Sequence, residues 1–188
     1  MKAVTTLCAG ALAGATILLL APRAEAQLVI KHPKDHPPYI AELEPHLDLL
    51  PWGRPWGGVS GKYGYRGTRA IDLGGGFRAT IKVADPVIPK LNNSIGITFG
   101  VDVTNCYFCS KDWSLWTPVG VNWTFYLTRD WSVFGDLGFV LRSNGFYSDA
   151  YPDFFAMAGG RWHFSDRASL TVRLGYPFIS VGVSFFAG

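Results

Sequence analysis

The segment between residues 117 and 142 has the clearest alternation of apolar and polar side chains in the chain. Apolar residues occupy almost every second position from Val119 to Leu127 and again from Trp131 to Leu141, with small or polar residues between them. A period of two is typical of β-strands, and the short polar link at residues 128–130 predicts a hairpin. Each arm has about ten alternating residues, the length of a tilted strand that crosses a bilayer.

The same alternation predicts six further strands, at residues 39–50, 68–83, 94–104, 154–164, 168–175 and 178–186. With the N-terminus on the periplasmic side, the connections 1–2, 3–4 and 5–6 face outside and are long, while the connections 4–5 and 6–7 are short. This difference is typical of bacterial outer-membrane barrels, although connection 2–3 is longer and connection 7–8 shorter than usual. The sequence therefore predicts an all-β fold, an eight-stranded antiparallel up-and-down transmembrane β-barrel.

The beginning of the chain has the features of a secretory signal peptide. Lys2 is followed by an apolar run at residues 7–20, and Ala24-Glu25-Ala26 matches a small-x-small cleavage site. We therefore expect a signal peptide at residues 1–26, a solvated, proline-rich periplasmic leader at residues 27–38 and the barrel domain at residues 39–188. No later segment has 18 uninterrupted apolar residues, so the sequence predicts no transmembrane helix.

Composition favours a membrane barrel over a soluble enzyme. The chain has 22 glycines and 15% aromatic residues, and only 16% of its residues are charged, against about 25% in soluble proteins. The net charge of +3 without a basic run gives no reason to expect nucleic acid as a partner.

This pattern resembles that of the small eight-stranded bacterial outer-membrane β-barrels, the group that contains the transmembrane domain of outer-membrane protein A and the outer-membrane protein X type. The resemblance covers residues 39–186 and lies in the pattern alone, without a signature motif. It implies a monomer in the outer membrane of a Gram-negative bacterium, surrounded by outer-membrane lipid. Barrels of this group often end in an aromatic residue, whereas here Ala187 and Gly188 follow Phe186.

The strand faces opposite the apolar ones predict a polar network inside the barrel. Acidic and basic residues on these faces nearly balance, and an eight-stranded barrel is filled by its own side chains, so we expect ion pairs and no open pore. A proton or ion path through Asp72, Asp102 and Arg161 is the alternative role. The predicted network comprises Glu42, Glu44, His46, Asp48, Asp72, Arg78, Lys82, Asp102, Asp136, Arg142, Arg161, His163 and Arg173.

Aromatic residues near the predicted strand ends indicate the two belts that membrane barrels place at their interfaces. Trp123, Phe125, Trp131, Trp162 and Phe164 lie near the periplasmic ends of their strands. Trp116, Phe139, Phe154 and Phe178 lie near the outer ends.

Cys106 and Cys109 have the two-residue spacing of redox and metal motifs. No helix N-terminus is predicted beside them to lower a thiol pKa, and no further zinc ligands are nearby. Since export leads to an oxidising compartment, we expect a disulfide that constrains the loop.

We expect a structural or surface-interaction role without catalysis, cofactor or metal, in which the aromatic outer loops contact an extracellular ligand or surface partner. One alternative is an enzyme that modifies outer-membrane lipid, an acyl hydrolase or transferase, with His163, Ser165 and Asp166 as its candidate catalytic residues. The other is a soluble periplasmic, lipocalin-like barrel that binds an apolar ligand. In that barrel the apolar strand faces would point inward.

Overall fold

The computed structural model describes residues 32, 34–36, 38–50, 72–105, 113–144 and 150–188. The predicted signal peptide, most of the leader and the predicted disulfide between Cys106 and Cys109 lie outside these residues. The described part of the chain contains no helix with the length and hydrophobicity that a membrane-spanning helix requires.

The described residues form eight strands that close into a barrel. Each strand pairs antiparallel with the next, and β1 also pairs with β8. The predicted all-β, eight-stranded antiparallel up-and-down barrel is therefore confirmed. The strands are β1 (Ala41–Leu50), β2 (Asp72–Ala84), β3 (Asn93–Asn105), β4 (Trp113–Tyr126), β5 (Trp131–Asn144), β6 (Tyr151–Ser165), β7 (Ala168–Tyr176) and β8 (Ile179–Ala187).

The two ends of the barrel differ in their connections. At the end where β1 begins and β8 finishes, which we call the terminal end, the strands are joined by residues 85–92, 127–130 and 166–167. At the opposite end, which we call the loop end, the connections are residues 51–71, 106–112, 145–150 and 177–178. Most loop-end residues lie outside the described part of the chain.

Strand register determines which side chains face outward. In the β4–β5 pair, Val119 lies opposite Phe139 on the outer face, whereas Asn122 lies opposite Asp136 inside. All eight described strands expose large apolar side chains on the outer face, with exposed fractions between 37% and 74%. No charged side chain lies on the outer face of any described strand.

Buried aromatic and apolar side chains fill both ends of the barrel. Tyr39, Tyr126 and Phe186 pack together at the terminal end. Toward the loop end, a second cluster is formed by Leu50, Trp116, Val140, Phe155, Met157 and Phe178. Most of the buried charged side chains lie between these two clusters, whereas Asp72 and Arg142 lie level with Leu50 and Trp116 of the second cluster.

Pro45 does not produce the bulge that a proline within β1 suggests. The β1–β8 register is the same at Leu43–Phe185 and at His46–Gly182, so no residue is inserted. Instead, the ladder omits Cα partners for Glu44 and Pro45, which accommodates the missing N–H of proline. Register shifts occur between Lys82 and Ala84 and between His163 and Ser165.

Candidate functional site

The polar interior is the candidate functional site of the described barrel. Of the thirteen residues that the alternation assigns to it, eleven are almost completely buried. Lys82 and His163 lie at the terminal end and are partly exposed. Lys82 pairs there with Asp85, whose Oδ2 accepts a hydrogen bond from Nζ at 2.9 Å.

Arg161 forms the most complete ion pair of the interior. Its Nε and Nη2 donate to the two carboxylate oxygens of Glu42 at 3.0 and 2.7 Å, which is the bidentate geometry that strengthens such pairs. Its Nη1 donates to Thr124 Oγ1 at 3.1 Å. Because Arg161 is 1% exposed and Glu42 2%, these contacts replace the water that both ions lose on folding.

Arg173 links two carboxylates of opposite barrel walls. Its Nε donates to Asp136 Oδ2 at 2.9 Å, and its Nη1 donates to Glu44 Oε1. The remaining carboxylate oxygens are also satisfied, since Ser184 donates to Glu44 at 2.8 Å and Asn122 donates to Asp136 at 2.6 Å. The group therefore ties β1, β4, β5, β7 and β8 together through buried, charge-assisted hydrogen bonds.

Phe134 belongs to this network, although the alternation of polar residues does not predict it there. The guanidinium carbons of Arg161 and Arg173 lie 4.0 and 4.8 Å from its ring centroid, so both cations contact the ring. Phe134 is 4% exposed. Phe134 lies on the same face of β5 as Ser132 and Asp136, and this two-residue spacing is the feature of the sequence that indicates its inward position.

A third polar group joins β1 to β3 across the glycines of β2. His46 Nε2 lies 2.7 Å from Asp102 Oδ1, and Arg78 Nη2 donates to Asp102 Oδ2 at 3.3 Å. His46 pairs with Gly76 and Gly76 pairs with Asp102, so no β2 side chain separates them. Asp48, also predicted in the network, lies beside this group and is 3% exposed.

Comparison with known proteins identifies no family. No protein-family model matches the sequence, and no curated protein matches it. Among solved structures, the chain is similar to one described as "De novo design of transmembrane beta-barrels", with 12% identity, a TM-score of 0.49 and coverage of 79% of this chain and 96% of that chain. It is also similar to a de novo designed barrel solved by solution NMR, with 15% identity, a TM-score of 0.44 and coverage of 82% and 98%.

Trp116 and Phe178 do not belong to an outer aromatic belt, so this part of the prediction is wrong. Trp116 is 0% and Phe178 1% exposed, and their rings meet edge to face inside the barrel at 5.1 Å. Trp116 Nε1 donates to Thr104 Oγ1 at 3.1 Å, and Arg142 lies 4.5 Å above its ring. Trp116 points inward because it is two residues from the buried Ser114 and therefore lies on the same face of β4.

The other seven predicted belt residues lie on the outer surface. Phe139 and Phe154 pair across β5 and β6 toward the loop end, and the remaining five lie near the terminal end. Trp131 and Trp162 pair directly across β5 and β6, and both are about half exposed. The ring centroids of Trp123 and Phe125 are 5.0 Å apart, and those of Trp162 and Phe164 are 6.2 Å apart. These five side chains form a partial ring over β4, β5 and β6.

His36 of the leader packs against the terminal end, whereas the other described leader residues are exposed. The imidazole of His36 stacks on the Tyr126 ring, with the ring centroids 3.8 Å apart and an interplanar angle of 6°. Its Nε2 lies 2.9 Å from Asp85 Oδ2. Tyr126 in turn shares hydrogen bonds with Tyr39 at 2.7 Å and Ser94 at 3.1 Å. Burial lowers the pKa of His36 below its ordinary value and outweighs the opposing effects of Asn92 and Asp85.

His163, Ser165 and Asp166 do not form a catalytic triad. His163 Nε2 lies 2.9 Å from Ser132 Oγ, while Ser165 Oγ accepts a hydrogen bond from the Arg167 backbone N–H at 3.3 Å. Asp166 forms a solvent-exposed pair with Arg129 at 3.7 Å. The described geometry therefore offers no base beside the Ser165 hydroxyl.

Proposed function

We propose that the chain is an integral outer-membrane β-barrel protein with a structural or surface-interaction role, no open pore and no catalytic activity. One observation carries the proposal: every described strand is apolar and uncharged on its outer face, while ion pairs are buried inside. Soluble monomers rarely expose contiguous apolar patches larger than a few hundred Å². In a bilayer the same surface contacts lipid chains.

The height of the apolar surface supports a spanning role. On β5, outward apolar side chains run from Trp131 to Leu141. Ten steps of about 3.3 Å give about 33 Å along the strand, and a tilt of about 40° reduces this to a height of about 25 Å. That value matches the apolar band of outer-membrane barrels, which is about 25 Å tall.

The connections support an orientation in the outer membrane of a Gram-negative bacterium. Such barrels have short periplasmic turns and longer outer loops, which favours an orientation with the terminal end in the periplasm and the loop end at the cell exterior. Outer-membrane lipid then surrounds the barrel as its main partner. The loop-end connections would present any surface for an extracellular ligand, and they lie largely outside the described residues.

The filling of the interior supports the absence of an open pore. The guanidinium groups of Arg78, Arg161 and Arg173 are at most 2% exposed, and an aromatic or apolar cluster lies toward each end of the barrel. This packing is expected of an eight-stranded barrel, whose interior is just wide enough for its own side chains. The buried ion pairs thus have a structural role.

Cell fractionation followed by gel electrophoresis with and without boiling tests the proposal. We expect the protein in outer-membrane fractions, with the unboiled sample migrating faster because a closed barrel resists detergent at room temperature. A urea-unfolded sample, which should show no such difference, is the control. Recovery in the soluble periplasmic fraction would refute the proposal and favour the lipocalin-like alternative.

A further inference from the structure

Three side chains of metal-ligand type meet inside the barrel. His46 and Asp48 point inward from β1, and Asp102 points inward from β3. All three are at most 6% exposed, and one ligand atom of each lies within 4.8 Å of the others. Among the described residues, no other group of three histidine, cysteine or acidic side chains comes this close together.

The glycines of β2 allow these side chains to meet. His46, Gly76 and Asp102 form one row across three strands, and Asp48 pairs with Gly74 in a nearby row. A Cβ at position 76 would lie 2.9 Å from Asp102 Cα and closer still to its carboxylate. Only glycine there leaves the space between His46 and Asp102 open.

Asp48 has no hydrogen-bond partner in the described structure. Both of its carboxylate oxygens are buried and unsatisfied. His46 Nε2 is 3.6 Å from Asp48 Oδ2, which is too long for a hydrogen bond. A charged carboxylate that is buried without a partner is costly. A cation bound beside Asp48 would supply the missing partner.

The hydrogen bond made by Nδ1 of His46 determines whether Nε2 carries a proton in the neutral ring. Nδ1 lies 3.2 Å from the Glu44 carbonyl oxygen and donates its N–H there, which leaves Nε2 unprotonated in the neutral ring. This lone pair faces Asp102 Oδ1 at 2.7 Å, so the two atoms either share a proton or bind one metal ion that lies to the side of the line between them. A proton would satisfy Asp102 but leave Asp48 without a hydrogen bond, whereas a metal ion satisfies both carboxylates.

We propose that His46 Nε2, Asp48 and Asp102 bind one divalent first-row transition-metal ion, with Zn²⁺ as the probe. One imidazole nitrogen and two carboxylates suit these ions, whereas Ca²⁺ and Mg²⁺ prefer oxygen ligands alone and Cu⁺ prefers sulfur. The Nδ1 hydrogen bond to a backbone carbonyl is the usual support of a metal-bound histidine. Arg78 orients Asp102 through its other oxygen, and its positive charge limits the affinity.

Zinc binding to the folded full-length barrel tests the proposal. The result does not depend on where the protein is located in the cell. The chain, without an affinity tag and with Cys106→Ser and Cys109→Ser to remove thiol ligands, is folded in detergent with Zn²⁺. Free ion is removed, and zinc is measured by mass spectrometry. We expect about one zinc per chain, and an affinity at least about tenfold weaker in Asp48→Asn and His46→Gln. His163→Gln, which changes another inward-facing histidine, should bind zinc as the parent does.

Thermal unfolding gives a second readout. Zinc should raise the unfolding midpoint of the parent and leave that of Asp48→Asn unchanged, because binding to the folded state alone stabilises it. Asp48→Asn removes a buried carboxylate that has no hydrogen bond, so this variant should fold even if His46→Gln does not. Equal zinc content in the parent and Asp48→Asn would overturn the proposal. A folded parent that retains no zinc would also overturn it and would assign a proton to His46 Nε2.

Discussion

The buried arginines show how single residues stabilise the barrel interior. Arg173 is 1% exposed and depends on two acids, Glu44 and Asp136, for its hydrogen bonds. Water cannot replace a partner that is lost from such a dry site. Removal of one member of a buried pair therefore leaves an uncompensated charge, which is far more costly than the loss of a pair in solvent.

Replacement of Glu44 by glutamine should lower the free energy of unfolding by about 3–5 kcal/mol, because Arg173 keeps its full charge with one acidic partner fewer. Asp166→Asn is the matched control: it also removes the acidic partner of an arginine, but the side chains of Arg129 and Asp166 are 75% and 69% exposed. The control should change stability by about 0–1 kcal/mol. Urea titration of the barrel in phospholipid vesicles, followed by tryptophan fluorescence, measures both. Equal losses in the two variants would contradict a structural role for the interior network.

Alternation and charge predicted which residues line the interior, but not how they pair. The contact between Glu42 and Arg161 depends on the strand registers and on the tilt of the closed sheet, which one sequence does not specify. An aromatic residue near a strand end suggests an interfacial belt, but the two-residue spacing between Trp116 and Ser114 puts Trp116 on the inward face of β4. Phe134 interrupts the polar face of β5, so a pattern of alternating polar residues does not predict its place in the network.

Among the elements, β2 depends most directly on glycine. Gly74 and Gly76 face β3 so closely that an added Cβ would meet the backbone of residues 103–104 and 101–102, respectively. Their small size brings the two strands together and lets His46 reach Asp102 across β2. These distances agree with the general role of glycine within a strand, which is to allow close approach of a neighbouring backbone.

Gly76→Ala should therefore destabilise the barrel by about 1–3 kcal/mol, the usual effect of overpacking a filled interior. Gly135→Ala makes the same chemical change on the outer face of β5, where the nearest atom to an added Cβ is the Met157 carbonyl oxygen at 3.9 Å. That variant should be as stable as the parent or slightly more stable. Unfolding midpoints in urea compare the two. If both substitutions are tolerated, β2 and β3 are not in close contact at Gly76.

The start of the fourth strand shows where alternation failed to predict a strand boundary. The prediction began the fourth strand at residue 117, whereas β4 begins at Trp113. The additional residues pair with the polar end of β3, for example Ser114 with Thr104. Thr117 and Pro118 interrupt the alternation of apolar and polar residues, but the ladder of backbone hydrogen bonds continues past them, because it does not depend on side-chain polarity.

At the scale of the whole molecule, the barrel is inverted relative to a soluble protein. Its outer face is apolar and its interior charged, so the hydrophobic effect stabilises this arrangement only where lipid replaces water around the strands. The ion pairs can remain inside because each closed ladder satisfies the backbone and leaves the side chains to pair with one another. The proposed membrane location thus predicts that the outer face tolerates charge only near the edges of the apolar band.

Leu137→Arg and Leu141→Arg test this dependence on depth within one strand. Both leucines face outward from β5, with exposed fractions of 64% and 45%, but Leu137 lies near the middle of the apolar band and Leu141 at its loop-end edge. In vesicles, Leu137→Arg should lower the free energy of unfolding by about 2–4 kcal/mol, and Leu141→Arg by about 0–1 kcal/mol. The difference arises because only the arginine at the edge reaches water and headgroups with its guanidinium group. Small and equal losses in the two variants would mean that water, and not lipid, surrounds β5.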